Sequence, residues 1–251
     1  MSAISILALD TSTEFCSVAL YLNSLGTERA IVRHRHTGAV SSAHILPLIR
    51  DVLDEGGLAL GACHAIAFGA GPGSFTGLRT ACGVAQGLAY GAGLPVIPVS
   101  TLLACAEMAR AQHPEPGRVM VALDARMEEV YWADYTWDGR SRGWVVNHDA
   151  ALDAPEGLPQ PDEPFMLAGN AAAIFGDRLP LAGRARVVLP EALPHASAVA
   201  ALAARDFALG RTLPAHEAAP FYIRNKVAQT VAERQAAAGQ RATLAHLAEG
   251  R

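Results

Sequence analysis

The sequence predicts an α/β layer fold built from two related halves. Three observations carry this. In the first half, short apolar runs bounded by turn residues alternate with stretches of helical spacing, the pattern of a sheet covered by helices. At Val119 the pattern restarts. Leu7-Ala8-Leu9-Asp10 is echoed by Val121-Ala122-Leu123-Asp124, 114 positions on, and each is followed by a turn and a second strand-like run. Finally, 51% of the 251 residues are hydrophobic, which supplies one large core or two smaller ones and excludes a disordered chain.

Ile4–Leu22 reads as strand, polar turn (Asp10-Thr11-Ser12-Thr13) and returning strand, because apolar residues run unbroken to Asp10 and alternate again from Cys16. Ala30–His34 is another strand. A helix follows over Ala43–Asp54. Ser41 or Ser42 can cap it, Ile45, Leu48, Ile49, Val52 and Leu53 fall at helical spacing, and Gly56-Gly57 ends it. His64–Gly73 is a short buried strand running into a turn, Ser74–Tyr90 a second helix, and Leu94–Ser100 the next strand. The halves meet near Thr101–Pro116, and the strand–Asp–turn–strand motif then repeats. Asp153–Pro164 is a proline-rich loop, Phe165–Gly176 a strand entering a helix, and Ser197–Arg211 an amphipathic helix. The domain reading is an N-terminal lobe over 1–104, a second, degenerate lobe over 105–228 whose helix near 197–211 can pack back on the first, and an Ala-rich tail over 229–251.

Charge and cysteines narrow the function. With 20 basic and 24 acidic side chains the net charge is −4, and no block of Lys or Arg stands out. A protein that grips nucleic acid alone needs a basic surface, so that class is disfavoured. Lys226 is the sole lysine, so any lysine-dependent chemistry must use it. Cys16, Cys63, Cys82 and Cys105 form no C-x-x-C pair and sit in apolar surroundings, as reduced buried cysteines do. The N-terminus has no basic lead, and its apolar run, Ile4 to Leu9, is too short for a signal or a membrane span. The expectation is a cytoplasmic protein with no membrane contact.

The glycine-rich stretch "GAGPGSFTGLRTACGVAQGLAYG" (Gly69–Gly91) invites a phosphate-binding reading. A P-loop needs a lysine, and none is near. A dinucleotide fingerprint needs a third glycine where Thr76 stands. A bare anion site at Ser74–Thr76, where a helix begins, stays open. The helix itself says more. Gly77, Ala81, Ala85 and Ala89 are four apart, and so are Gly83, Gly87 and Gly91, so two faces carry almost no side chain. Interior glycine costs about 0.5–1 kcal/mol relative to alanine, which implies close backbone approach, within the domain or to a partner helix. Asp10-Thr11-Ser12 suits either Mg²⁺ and phosphate or a plain turn. The companion turn, Asp124-Ala125-Arg126-Met127, lacks glycine, so Arg126 and Met127 fill the space or Arg126 touches an anion. Nine scattered histidines offer no H-x-x-x-H pair, and no G-x-S-x-G elbow occurs, so no metal site or serine nucleophile is expected. His34 and His36 read as solvated.

Four segments together resemble one family: "ILALDTSTEFCSVAL", the glycine-rich stretch above, "LPVIPVSTL" and "VALDARMEEVYWADY". They look like TsaB, the YeaZ-like, non-catalytic subunit of the bacterial complex that installs threonylcarbamoyl on adenosine beside the tRNA anticodon. "PFYIRNKVA" (Pro220–Ala228) is similar to the family's C-terminal signature. The resemblance implies the actin-like ATPase (ribonuclease H-like) fold in two lobes. It also implies a catalytic relative, TsaD, whose V-N-H-x-x-x-H segment holds a metal. Thr101 and Cys105 of Val99–Cys105 stand where those histidines would be, a poor substitute for two imidazoles. Pairing with TsaD, or with a second copy when alone, is implied through the two N-terminal helices, with TsaE and tRNA meeting the assembled pair.

Two functions are therefore carried forward. The first is a scaffold subunit with no catalytic residue of its own. Its partner interface draws on Ile45, Leu48, Ile49, Val52, Ser74, Phe75, Leu78, Gly83, Val84, Gly87 and Tyr90. It has no intrinsic cofactor beyond weak or interfacial ATP/ADP with Mg²⁺ at a vestigial site of Asp10, Thr11, Ser12, Asp124 and Arg126. The alternative is an ATP-dependent phosphotransferase or kinase acting through Asp10 and Asp124.

Overall fold

The computed structural model describes residues 4–24, 26–115 and 117–223 and arranges them around two five-stranded sheets. The first contains β1 (Ile4–Asp10), β2 (Phe15–Ser24), β3 (Thr27–His36), β4 (Ala65–Gly71) and β5 (Val96–Ser100), in the order β3-β2-β1-β4-β5. The second contains β6 (Arg118–Asp124), β7 (Val130–Asp138), β8 (Gly143–Asp153), β9 (Met166–Ala168) and β10 (Val187–Leu189), in the order β10-β9-β6-β7-β8. In each sheet the first three strands form an antiparallel meander and the last two add in parallel beside the first. The echo between Asp10 and Asp124 is thus a repeat of topology. Both residues end the founding strand of their sheet.

Helices distinguish the halves. In the first, α1 (Ser41–Gly56) leads from β3 to β4, α2 (Phe75–Ala92) from β4 to β5, and α3 (Thr101–Gln112) leaves β5. In the second, a loop with a single short turn at Pro155–Gly157 takes the place of α1, and α4 (Ala171–Phe175) with two short turns, Gly176–Arg178 and Pro180–Arg184, stands for α2. α5 (Ala196–Ala208) follows β10. The second half thus carries shorter covering elements than the first.

Packing follows from residue alternation on strands buried on both faces. On β1, Leu7 and Leu9 face one way, into a cluster with Ile45, Leu48, Val52, Ala81 and Ala85 of α1 and α2. Ile6 and Ala8 face the other way, toward Val199, Ala200 and Ala203 of α5. α5 thus covers the first sheet although it follows the second. α3 crosses in the opposite sense: Leu102, Cys105, Ala106 and Ala109 pack on Val119, Val121 and Leu123 of β6. The expected boundary at 104 falls inside α3.

Several expectations are corrected here. Neither Ser41 nor Ser42 caps α1. The cap position is Val40, and Ser41 begins the helix with its hydroxyl 2.8 Å from that of Thr37. α3, β8 and β10 had no counterpart in the sequence reading. Ile45, Leu48, Ile49, Val52 and Leu78, expected at a partner interface, are buried in the chain's own core. A partner could reach them only by lifting α1 and α2 off the sheet. Both sheets lie in one compact unit, Met1–Phe221; Tyr222 opens another. The tail over 229–251, and the C-terminal signature beyond Ile223 with its Lys226, lie outside the described residues. Among the described residues, no helix is long and apolar enough to cross a membrane.

Candidate functional site

Asp10 ends β1 at 1% exposure, and Thr11 and Ser12 behind it are equally buried. One oxygen of Asp10, Oδ1, accepts from the Ser12 N–H at 3.0 Å and the Ser12 hydroxyl at 2.9 Å. The other, Oδ2, has no hydrogen-bond partner and lies where a Cβ on Gly69 would be. Burial pushes the Asp10 carboxyl up to about 6, against the pull of the two bonds from Ser12. The Thr11 hydroxyl donates to the Gly77 carbonyl at 2.6 Å, and the Ser12 carbonyl accepts from the Ser74 N–H at 2.7 Å. A Cβ on Gly73 or Gly77 would run into the backbone oxygens of Ser12 or Thr11.

The glycines that open the α2 segment therefore seat the β1–β2 turn against the helix start. This turn does not fit a magnesium–phosphate group. Asp10, Thr11 and Ser12 present no surface, and the carbonyl oxygens packed against the helix start are acceptors that would repel phosphate. The anion site at Ser74–Thr76 loses its first donor, because the Ser74 N–H is bound to Ser12.

The companion turn behaves differently. Asp124 Oδ1 accepts from the Arg126 N–H at 2.9 Å, and its Oδ2 lies 3.2 Å from the Arg126 guanidinium. The Asp124 N–H donates to the Asn170 side-chain oxygen at 2.9 Å. Arg126, Met127 and Glu128 all have positive φ, at 62°, 56° and 64°, a conformation that L-residues adopt only when their surroundings hold them there. Arg126 thus answers Asp124 within the turn, and its exposed side chain stays at the surface. The structure does not make Asp10 and Asp124 alike: one is sealed, the other is a surface ion pair.

The α2 helix has one face on the core and one bare. Gly77, Ala81, Ala85 and Ala89 form the buried row, small enough to bring the helix close to the sheet. Gly83, Gly87 and Gly91 are exposed, and a Cβ on any of them would meet nothing within 4 Å. Tyr90 beside them is 80% exposed. Ser74 caps the helix, its hydroxyl accepting from the Gly77 N–H. Ser74 is exposed, while Phe75 and Val84 are half-buried.

Comparison with known proteins fits this architecture. Residues 35–230 match the profile of the TsaD family, tRNA N6-adenosine threonylcarbamoyltransferase. The tRNA threonylcarbamoyladenosine biosynthesis protein TsaB of Escherichia coli K12 is 39% identical over 233 residues, covering 89% of this chain and 96% of that protein. Its namesake from Haemophilus influenzae is 38% identical over 239 residues, covering 90% and 96%. The chain belongs to the TsaB family. Among solved structures, YeaZ from Pseudomonas aeruginosa superimposes with a TM-score of 0.78 at 39% identity, covering 87% of this chain and 99% of that one. The fold is accordingly the actin-like one, in two lobes.

In this TsaB-family chain the two positions set against a histidine pair serve the core. The Thr101 hydroxyl donates to the Pro72 carbonyl and Cys105 is fully buried, its thiol pushed well above the ordinary range by burial and by the Asp10 charge. Among the described residues, no group of three or more His, Cys, Asp or Glu side chains could hold a metal ion. His34 and His36 are exposed, as the sequence led one to expect, but the ring contacts that His34 makes were not foreseen. His34 stacks on Phe15 at 4.5 Å and meets the His195 ring at a tilt at 4.4 Å, and His195 caps α5 by accepting from the Ser197 N–H. Phe15 of β2 stands opposite His36 of β3 and diagonal to His34, but His195 comes from far along the chain and no local spacing announces it.

Proposed function

We propose that the chain is a non-catalytic scaffold subunit in the threonylcarbamoylation of tRNA adenosine, acting by binding the catalytic subunit TsaD. The observation that carries this is the bare row of α2. Gly83 and Gly87 weaken the helix by about 1 kcal/mol each relative to alanine, and among the described residues nothing occupies the room they leave. The approach of another polypeptide's backbone gives that cost a physical reason, because small residues there allow packing of interior density. Ser74, Phe75, Val84 and Tyr90 flank the row. When alone, the chain would use the same face for a second copy. TsaE and tRNA would meet the assembled pair, and work on tRNA implies a cytoplasmic location. Any ATP or ADP with Mg²⁺ would belong to the boundary with a partner. The buried Asp10 turn supports this over an ATP-dependent phosphotransferase.

Gly83→Leu tests the reading. The side chain projects into open space, so the variant folds, and co-purification with TsaD and tRNA modification are both lost. Unchanged affinity for TsaD would sink the proposal. ATP–Mg²⁺ hydrolysis by the isolated chain that vanishes in Asp10→Ala would favour the phosphotransferase instead.

A further inference from the structure

Each sheet ends in a helix that crosses to the other sheet, so α3 and α5 lie where the halves meet. Apolar packing alone is non-directional and lets such layers slide. Here the contact carries directional bonds. Glu107 of α3 is 7% exposed. Its Oε1 accepts from Arg205 of α5 at 2.6 Å, and its Oε2 accepts from the same guanidinium at 2.9 Å and from the Trp144 indole N–H of β8 at 2.7 Å. The Trp137 ring of β7 lies under Arg110 of α3 at 3.8 Å and near Arg205 at 5.0 Å. Trp144 meets Trp137 edge-on at 5.4 Å.

We propose that this Glu107–Arg205–Trp144 hub is a lock that fixes the two sheets at one mutual orientation, so that the lobes do not hinge. The two-pronged pair joins a helix seated on the second sheet to a helix seated on the first, and Trp144 ties in the β7–β8 hairpin. Any slide of one layer strips partners from a buried carboxylate, which is costly because the charge is left uncompensated. The paired guanidinium and indole hold the Glu107 carboxyl below its ordinary range in spite of burial, the largest influence, which acts the other way. An actin-like fold with this clamp presents one rigid surface to whatever it binds.

Distance measurement between nitroxide labels tests the lock on the full chain. Asp54→Cys on α1 and Asp177→Cys beyond α4 are exposed sites on opposite halves, and the four native cysteines are buried from label. The parent gives one narrow distance. Glu107→Gln and Arg205→Lys, which keeps the charge and loses the two-pronged geometry, each broaden or split it. Ile97→Val, a core change that removes none of the hydrogen bonds of Glu107, Arg205 and Trp144, destabilises the chain and leaves the width alone. A narrow distance in Arg205→Lys, with circular dichroism unchanged, overturns the lock. That variant decides the matter if Glu107→Gln does not fold. Equal broadening in Ile97→Val overturns it too.

Discussion

Asp10 holds a carboxylate in a place that solvates half of it. Its folded-state value of about 6 against an ordinary 3.8 means that the folded chain keeps this proton more tightly than the unfolded one. The associated stability is complete below pH 3.8 and is lost as pH rises through about 6. Asp10→Asn keeps an acceptor for Ser12 and removes the charge. It should raise the unfolding free energy at pH 8 by up to about 3 kcal/mol, and by far less at pH 4, in urea titrations. His195 runs the opposite way. Burial, with the neighbouring His34, lowers it from 6.5 to about 4, so its contribution is complete above pH 6.5 and lost as pH falls through about 4. Protonation takes the lone pair with which Nδ1 caps α5. His195→Ser retains a capping oxygen and should flatten the acid limb of stability between pH 6.5 and 4, read from thermal midpoints.

At the scale of the element, α2 carries two kinds of glycine that the sequence writes identically. Gly77→Ala forces a Cβ against the Thr11 carbonyl and should destabilise the chain by about 1–3 kcal/mol. Gly83→Ala and Gly87→Ala meet open space and should each stabilise the isolated chain by about 1 kcal/mol, while weakening its association with TsaD. Chemical denaturation of the three variants separates the two kinds. The four-residue spacing in the sequence exposed both rows but not which one faced the sheet, since alanine and glycine carry no hydrophobic signal strong enough to choose. The same weakness hid α3, where "TLLACAEMAR" is buried on several sides, its Glu107 included, and so shows no single apolar stripe. For Ile45, Leu48, Ile49 and Val52 the spacing gave the helix correctly and says only that the face is covered; in the structure the chain's own first sheet covers it. β8 escaped notice as an edge strand with exposed valines among polar residues, and β10 is three residues long.

Across the whole molecule, the repeat of Asp10 in Asp124 announced two related sheets, and the structure supplies their common strand order. The crossing of α3 and α5 was not legible, because Glu107 and Arg205 meet 98 positions apart with no local trace. That crossing predicts how the chain divides. A fragment ending at Glu115 keeps α3 without its sheet and leaves the α5 face of the first sheet bare. It should aggregate on size-exclusion chromatography when made alone, and be rescued by co-production of residues 117–223. A monomeric, folded fragment would show that the halves are self-sufficient.

The open groove along Gly83, Gly87 and Gly91 has a consequence for how much of this polypeptide survives in a cell. A ligand that binds only the native form raises its apparent stability by mass action. If the proposed pairing with TsaD holds, the melting temperature of the chain should climb as TsaD is titrated in, and copies made in excess of that companion would be the first degraded, so that supply of one subunit meters the lifetime of the other.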